Sequence, residues 1–385
     1  MEHESRPNTP IPQHSDPVAV YVHIPFCSTK CGYCDFNSYA GSSGAEVERT
    51  VAAIVAEIER SPWRGRPAST IFFGGGTPTF LGEGQLLAIF ETVLRSHPPL
   101  PDCEITSEAN PGTVDASKFG SMRRAGFNRV SLGAQSFLDT DLIALGRIHR
   151  VGEIERAVGA ARGAGFENLN LDLMFALPDQ SLHAWNRNLD RALGLNPEHL
   201  SLYCLTLEPN TPFYKRHLAG DLVVPDEDAQ VEMYDACLER MAEAGFEQYE
   251  ISNFAKPGRA CRHNLAYWTG LEYAGYGPGA VGCVESEGVR RRYTNLKLPT
   301  RYAGAVEAGD DAWYEEELLG PAELRMEAIM LGLRLNEGVC VGTVGLDPSG
   351  LERVLGAGWG EEADGRLRLT PAGRHFCSEV AMALV

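Results

Sequence analysis

The chain has 385 residues and a formal net charge of −18, from 52 acidic side chains against 34 lysines and arginines. So acidic a surface repels a phosphate backbone, which makes nucleic acid a disfavoured partner. The length calls for a large catalytic domain with smaller appendages. No segment reaches the roughly 18–20 unbroken apolar residues of a membrane span, and the first residues lack a signal peptide's apolar run, so the chain reads as cytoplasmic.

Residues 1–17 are polar and proline-rich and are expected to form a disordered tail. From Val18 a unit recurs about every 30 residues: a β-rich apolar run, a turn, then helical periodicity. The six runs are Val18 to Ile24, Thr70 to Gly74, Cys103 to Glu108, Asn128 to Gly133, Asn168 to Phe175 and His199 to Leu205. The segments between them carry helical spacing, as in Ala45 to Arg60. Such alternation implies an α/β fold with a parallel sheet and right-handed crossovers. Six units fall short of the eight that close a barrel, so residues 18–245 are expected to form an open, partial (β/α)6 barrel with its chemistry at the C-terminal strand ends.

A helix is expected from Asp226 to Ala244, followed by a connecting segment, residues 246–320. Its glycine- and aromatic-rich part, Gln248 to about Gly282, is not strongly helical and resembles a loop with a function. From Pro321 the order changes to a helix over Glu323–Leu335, a second segment over Asp347–Leu355, a short strand Arg366–Leu369 and a final helix from Thr370. That order suggests a small winged-helix-like α+β module over residues 321–385.

Three of the ten cysteines lie in YVHIPFCSTKCGYCDF, as Cys27, Cys31 and Cys34, directly after the first strand. Three thiolates from one short loop can hold three corners of a [4Fe-4S] cubane and leave the fourth iron open to a small molecule. Structural zinc ordinarily takes four ligands in two separated pairs, and no second CxxC pair exists, so a zinc scaffold is the weaker reading. The other seven cysteines are scattered singly and are expected to pack as small hydrophobes. At the end of the second strand stands Gly74-Gly75-Gly76-Thr77-Pro78-Thr79, whose bare backbone would allow close approach to a ligand.

The CxxxCxxC spacing after a first barrel strand resembles the radical-SAM superfamily. There the open iron chelates the methionyl end of S-adenosylmethionine (SAM), and an electron from the cluster cleaves the sulfonium to a 5'-deoxyadenosyl radical. Together with SEANP, LGAQSF and LDLMFALP, the chain is similar to the oxygen-independent coproporphyrinogen III oxidase family from about Val18 almost to its end. That resemblance implies SAM contacts from Gly75, Gly76, Thr77, Glu108, Gln135, Arg147 and Asp172, with Tyr21 beside the cluster and Tyr33 against the adenine.

Two departures point away from the decarboxylase itself. The position of that enzyme's fourth cysteine, two residues after the triad, is Phe36 here, and its long N-terminal arm is missing. Cys261-Arg262-His263-Asn264-Leu265-Ala266-Tyr267-Trp268 contains HNxxYW, which is similar to the haem-binding signature of a haem-chaperone branch of the family. A histidine can ligate haem iron, and Tyr and Trp offer flat apolar surface for a porphyrin. The resemblance therefore implies haem contacts from His263, Asn264, Tyr267 and Trp268, with Cys261 as a candidate second ligand. The bland alternative is a packed, hydrogen-bonded loop.

The implied function is a haem chaperone with a [4Fe-4S] cluster and SAM that delivers haem to apo-haemoproteins, such as respiratory enzymes. A homodimer and peripheral membrane association are compatible with the sequence. A radical-SAM core can in principle cleave SAM reductively, so two enzymes stand as alternatives. One is coproporphyrinogen III oxidase, against which Phe36 counts; the other is a radical-SAM tRNA-modifying enzyme, against which the charge counts.

Overall fold

The computed structural model describes residues 16–286 and 288–385, so the expected tail falls almost wholly outside the described residues. Six strands alternate with helices: β1 Val18–Ile24, α1 Gly44–Arg60, β2 Ala68–Gly75, α2 Glu83–Ser96, β3 Pro99–Ala109, α3 Ala116–Ala125, β4 Arg129–Gln135, α4 Val151–Gly163, β5 Leu169–Phe175, α5 Leu182–Gly194 and β6 His199–Cys204. They lie in chain order and pair in parallel throughout, the expected partial barrel. Helix starts follow local chemistry. Ser43, Asp115 and Ser181 each accept a hydrogen bond from the backbone N–H three residues on, which satisfies a donor the first turn leaves free.

The strands alternate strictly, and the two faces differ in kind. Val18, Val20, Val22 and Ile24 of β1 join Ile54, Ile58, Ile71, Phe73 and Phe90 in the apolar layer beneath the helices. The other face turns polar: register places Thr70 beside Glu104, Thr106 beside Arg129, Glu108 beside Ser131, and Asp172 beside both Gly133 and Ser201. Period-two patterning thus sends hydrocarbon outward and hydrogen-bonding groups into the lumen.

The stretch expected to be a connecting loop is built into the sheet. Following helix Glu227–Glu243, strands Glu247–Glu250 and Asn253–Ala255 extend the β6 edge antiparallel. The chain then crosses the barrel through helix Arg262–Trp268, and Tyr273–Tyr276 pairs in parallel with β1. Strands Val281–Ser286, Val289–Asn295 and Trp313–Leu319 continue antiparallel and complete a twelve-stranded sheet. VRRRYTN and WYEEELL look too charged for strands in isolation; Arg292–Glu317, 3.2 Å apart, and Arg291–Glu316 pair across the ladder.

Residues beyond Gly320 form their own apolar core, with Ile329, Leu333, Val354, Leu367, Val380 and Leu384 at its centre. Helices Pro321–Gly332, Pro348–Gly356 and Cys377–Leu384 surround a three-stranded antiparallel sheet of Val339–Cys340, Arg366–Leu369 and Gly360–Ala363, a winged-helix-like arrangement. No helix among the described residues is long and apolar enough to cross a membrane.

Trp185 of α5 is fully buried, and its indole N–H donates to Met233 O at 3.0 Å, tying α5 to Glu227–Glu243. Trp185→Ala leaves a large cavity, so it should cost about 3–5 kcal/mol, read from the midpoint of chemical denaturation.

Candidate functional site

The cysteine loop leaves the C-terminal end of β1 and is held by its own polar atoms. Lys30 Nζ donates to Phe36 O at 3.1 Å and Ser38 O at 3.2 Å, closing the loop on itself. Tyr21 donates its hydroxyl to His23 Nδ1 at 3.0 Å, and His23 Nε2–H donates to Asn37 O at 2.8 Å, anchoring the loop to the strand. Phe213 N–H donates to Gly32 O at 3.0 Å, and a Cβ on Gly32 would meet the Phe213 ring at 2.6 Å. The glycine between Cys31 and Tyr33 is required by that packing.

Cys27, Cys31 and Cys34 face a cavity of about 320 Å³ at the C-terminal mouth of the barrel, with Tyr33 in the same wall. Gly75, Gly76, Thr77, Glu108, Gln135, Arg147 and Asp172, contributed by several different strand ends, line the rest. The glycine run is demanded first by the protein itself. Gly75 has φ +107°, and a Cβ there would lie 2.5 Å from His23 Cε1; on Gly76 it would lie 2.7 Å from the Phe26 carbonyl oxygen. Close packing of β2 against the β1 exit brings Thr77 Oγ1 to 3.4 Å from Cys27 Sγ.

The charges in the cavity are arranged unevenly. Arg147 places Nη1 3.7 Å from Cys31 Sγ and donates from Nη2 to Gly133 O at 2.7 Å, while its buried Nε has no partner among the described residues. Across from it, Glu108 accepts from Gly75 N–H at 3.1 Å, and burial together with the Asp172 charge pushes its carboxyl up to about 8. Asp172 accepts from Ser131 Oγ at 3.0 Å and Asn170 Nδ2 at 2.7 Å, yet burial still raises its carboxyl. Gln135, a non-glycine residue at φ +65°, ends β4 in the left-handed region, where strain concentrates at functional sites.

This donor set fits the implied groups. Among the described residues no three His, Cys, Asp or Glu side chains converge on a single ion. Three thiols flanking an open cavity instead suit a multi-iron cubane, whose cysteine ligands stand farther apart than those of one zinc. An unsatisfied guanidinium nitrogen suits a carboxylate, and two buried carboxyls suit an ammonium or sulfonium.

The HNxxYW residues lie at the opposite end. Helix Arg262–Trp268 closes the N-terminal mouth, fastened by Glu104, which accepts from Arg262 N–H and His263 N–H at 3.2 Å each and from the Cys261 thiol at 3.4 Å. His263 is 1% exposed; Nδ1 lies 2.8 Å from Thr70 Oγ1 and Nε2 3.0 Å from the Tyr267 hydroxyl. Its ring stacks on Phe72 at 5.0 Å, and burial pushes the imidazole down to about 3. Asn264 Nδ2 donates to the Tyr249 hydroxyl at 3.4 Å, and Trp268 lies under the Arg334 guanidinium. Cys261, fully buried beside Glu104, has its thiol pushed up to about 12. Tyr21 does not line the cavity; it stacks between the two ends, 6.2 Å from the His263 ring.

Several residues were not singled out from the sequence. His23 and Lys30 shape the cysteine loop, and Cys204, expected only to pack, stands in the cavity wall. Inside the barrel, Asn170 Oδ1 accepts from His199 Nδ1–H at 2.6 Å, and His199 Nε2 accepts from the Tyr249 hydroxyl at 2.9 Å. Asn170 had a readable signal, the alternation of LNLDLMF, which puts it on the Asp172 face. His199 and Tyr249 become visible only through strand pairing.

The Radical SAM superfamily profile matches residues 21–192, and that of the HemN C-terminal domain matches residues 319–376. A protein named heme chaperone HemW from Mycobacterium tuberculosis (strain H37Rv) is 37% identical over 380 residues, which span 97% of this chain and 96% of that one. The chain belongs to the HemW family of radical-SAM proteins. The HemW of Bacillus subtilis is 36% identical over 373 residues, 94% of this chain and 97% of its own. Among solved structures, coproporphyrinogen III oxidase (HemN) from Escherichia coli superposes with TM-score 0.85 at 21% identity, covering 97% of this chain and 91% of that one. That likeness extends the shared architecture from HemW to HemN.

Glu108 gives the cavity a pH signature. Its carboxyl lies near 8 in the folded chain against an ordinary 4.5, so the native state holds the proton more tightly than the unfolded one. The Glu108 contribution is therefore constant below about pH 4.5 and falls as pH rises toward 8. In cluster-free protein, Glu108→Gln should flatten that decline, measured by denaturation at pH 5, 6, 7 and 8.

Proposed function

We propose that this chain is a cytoplasmic haem chaperone. It holds a [4Fe-4S] cluster on Cys27, Cys31 and Cys34, SAM in the adjoining cavity and haem at the HNxxYW helix, and it delivers the haem to apo-haemoproteins such as respiratory enzymes. The reading rests on one arrangement: three thiols, a glycine turn, Arg147 and two carboxyls share a cavity at one mouth of the barrel, while HNxxYW stands apart at the other. The names of the HemW relatives support the haem role.

When bound, the cluster and SAM supply one-electron chemistry; the chain supplies position and shelter. Gly75, Gly76 and Thr77 offer close backbone approach, Arg147 a cation for a carboxylate, and Glu108, Gln135 and Asp172 polar contacts to the ribose and methionyl groups. Tyr33 is suited to lie against the adenine. Burial raises the thiols of Cys27 and Cys34 in the cluster-free chain, so iron must displace their protons on assembly. Phe36, 64% exposed at the cavity mouth, offers no fourth thiol there, which favours the chaperone over the decarboxylase. The functional units are then a core over residues 18–245, a haem-bearing segment over 246–320 and an accessory module over 321–385.

The test is anaerobic cluster reconstitution followed by haem titration of wild type, Cys27→Ala and His263→Ala. Wild type should bind about one haem, Cys27→Ala should lose the cluster absorbance and keep the haem, and His263→Ala should keep the cluster and lose the haem. Formation of protoporphyrinogen IX from coproporphyrinogen III by reduced wild-type protein with SAM would overturn the chaperone reading.

A further inference from the structure

Three thiols from one loop can share a cluster only if the loop keeps them in place. Residues 28–38 run as turns and irregular backbone between the short paired segments Phe26–Cys27 and Tyr39–Ala40, so the loop is fixed by hydrogen bonds at its ends rather than by a ladder along its length. Phe36 and Ser38 line the cavity, and Ser38 Oγ lies 3.9 Å from Cys34 Sγ. Asn37, between them, turns its amide the other way, into the later half of the chain. Its Nδ2 donates to Pro278 O at 2.9 Å and to Lys297 O at 3.0 Å, and its Oδ1 accepts from the Tyr39 hydroxyl at 3.0 Å. A reversed amide would set oxygen against two carbonyl oxygens, so the partners dictate the orientation. With its backbone carbonyl taken by His23 Nε2–H at 2.8 Å, Asn37 ties the outgoing end of the cysteine loop both to β1 and to a turn far along the chain.

That turn is shaped to receive it. Gly279 has φ +78°, and a Cβ there would lie 2.3 Å from Asn37 Nδ2, so a side chain at 279 would push the amide off its two carbonyls. Gly277 N–H donates to Glu57 Oε2 at 2.7 Å, and the fully buried Asn295 donates to Glu57 Oε1 at 2.6 Å and to Gly277 O at 3.0 Å. Gly279 N–H donates to Leu296 O at 3.1 Å, which closes the turn onto the residue before Lys297. The receptor for Asn37 is therefore held by α1 and by the strands Tyr273–Tyr276 and Val289–Asn295, none of which carries a cysteine of the triad.

We propose that Asn37 is a positioning residue for the cluster: docked in the Gly277–Gly279 turn, it pins the outgoing end of the cysteine loop, and with it Cys34, against the strands that follow the partial barrel. This rests on the cluster reading given above. The six-stranded core then does not hold its cysteine loop unaided, because residues 246–320 supply the anchor. Removing a group that orients a metal ligand without touching the metal weakens the site by about 10–100-fold.

The test uses the full chain, reconstituted anaerobically with ferrous iron and sulfide. Asn37→Asp keeps the volume and the acceptor for Tyr39 but sets a carboxylate oxygen against two carbonyls. Its cluster should be lost to a ferrous chelator on the order of tenfold faster than that of wild type, and the paramagnetic resonance spectrum of the reduced cluster should depart from the wild-type g values. Gly279→Ala, which disturbs the same contact from the other side and leaves the cysteine loop untouched, should do the same. Trp185→Phe, which loosens the packing of α5 on Glu227–Glu243, should leave both readouts as in wild type. Wild-type chelation and spectrum in Asn37→Asp would overturn the positioning role. So would equal acceleration in Trp185→Phe, which would make cluster retention a matter of fold stability alone. Iron uptake by wild type no greater than by Cys27→Ala would instead bring down the cluster reading, and the anchor with it.

Discussion

A barrel with a polar lumen must satisfy that lumen from both ends, and most of this molecule is arranged around the requirement. Glu104, Arg129, Asn170, Asp172 and His199 point inward from parallel strands whose other face is hydrocarbon. Buried polar groups are tolerable only when paired. At the floor the pairing comes from helix Arg262–Trp268, whose backbone and Cys261 thiol neutralise the oxygens of Glu104. Along the axis it comes from a chain of hydrogen bonds running from Asp172 through Asn170, His199 and Tyr249 to Asn264. At the open mouth the buried Arg147 Nε has no partner among the described residues, and Glu108 is held by Gly75 N–H. The lumen is thus one polar column with a cavity at its head and HNxxYW at its foot.

Much of this was legible in the sequence because the signals were local. The cysteine spacing, the glycine run and the period of strand and helix from Val18 to Leu205 are short-range patterns, and the six strands fall within a few residues of their expected ends. The six later strands were hidden because their stability comes from partners distant in the chain. Val289–Asn295 carries three consecutive arginines and Trp313–Leu319 three consecutive glutamates, and only cross-strand pairing makes either sequence a good strand.

The site divides the same way. Gly75, Gly76, Thr77, Glu108, Gln135, Arg147 and Asp172 line one cavity, and most of them were legible because a strand end is a local address. Tyr21 points below the cavity, since its hydroxyl is taken by His23 and its ring by the aromatic stack. For His263 the sequence named the residue but not its burial. Both of its nitrogen partners are fixed by folding: Thr70 comes from a strand nearly two hundred residues earlier, and Tyr267 from the next helical turn.

Both borders of the twelve-stranded sheet have a bearing on the company this protein keeps. The border at Glu247–Glu250 is blunted by the C-terminal module, through the bridge from Leu335 and the hydrogen bond from Asn336. The other border, Trp313–Leu319, presents Glu315, Glu316 and Glu317 along its exposed length. A second copy aligning there strand against strand would set glutamates beside glutamates, a repulsion natural sheets use to stop growth. Edge-to-edge sheet growth between copies is thereby disfavoured at this border.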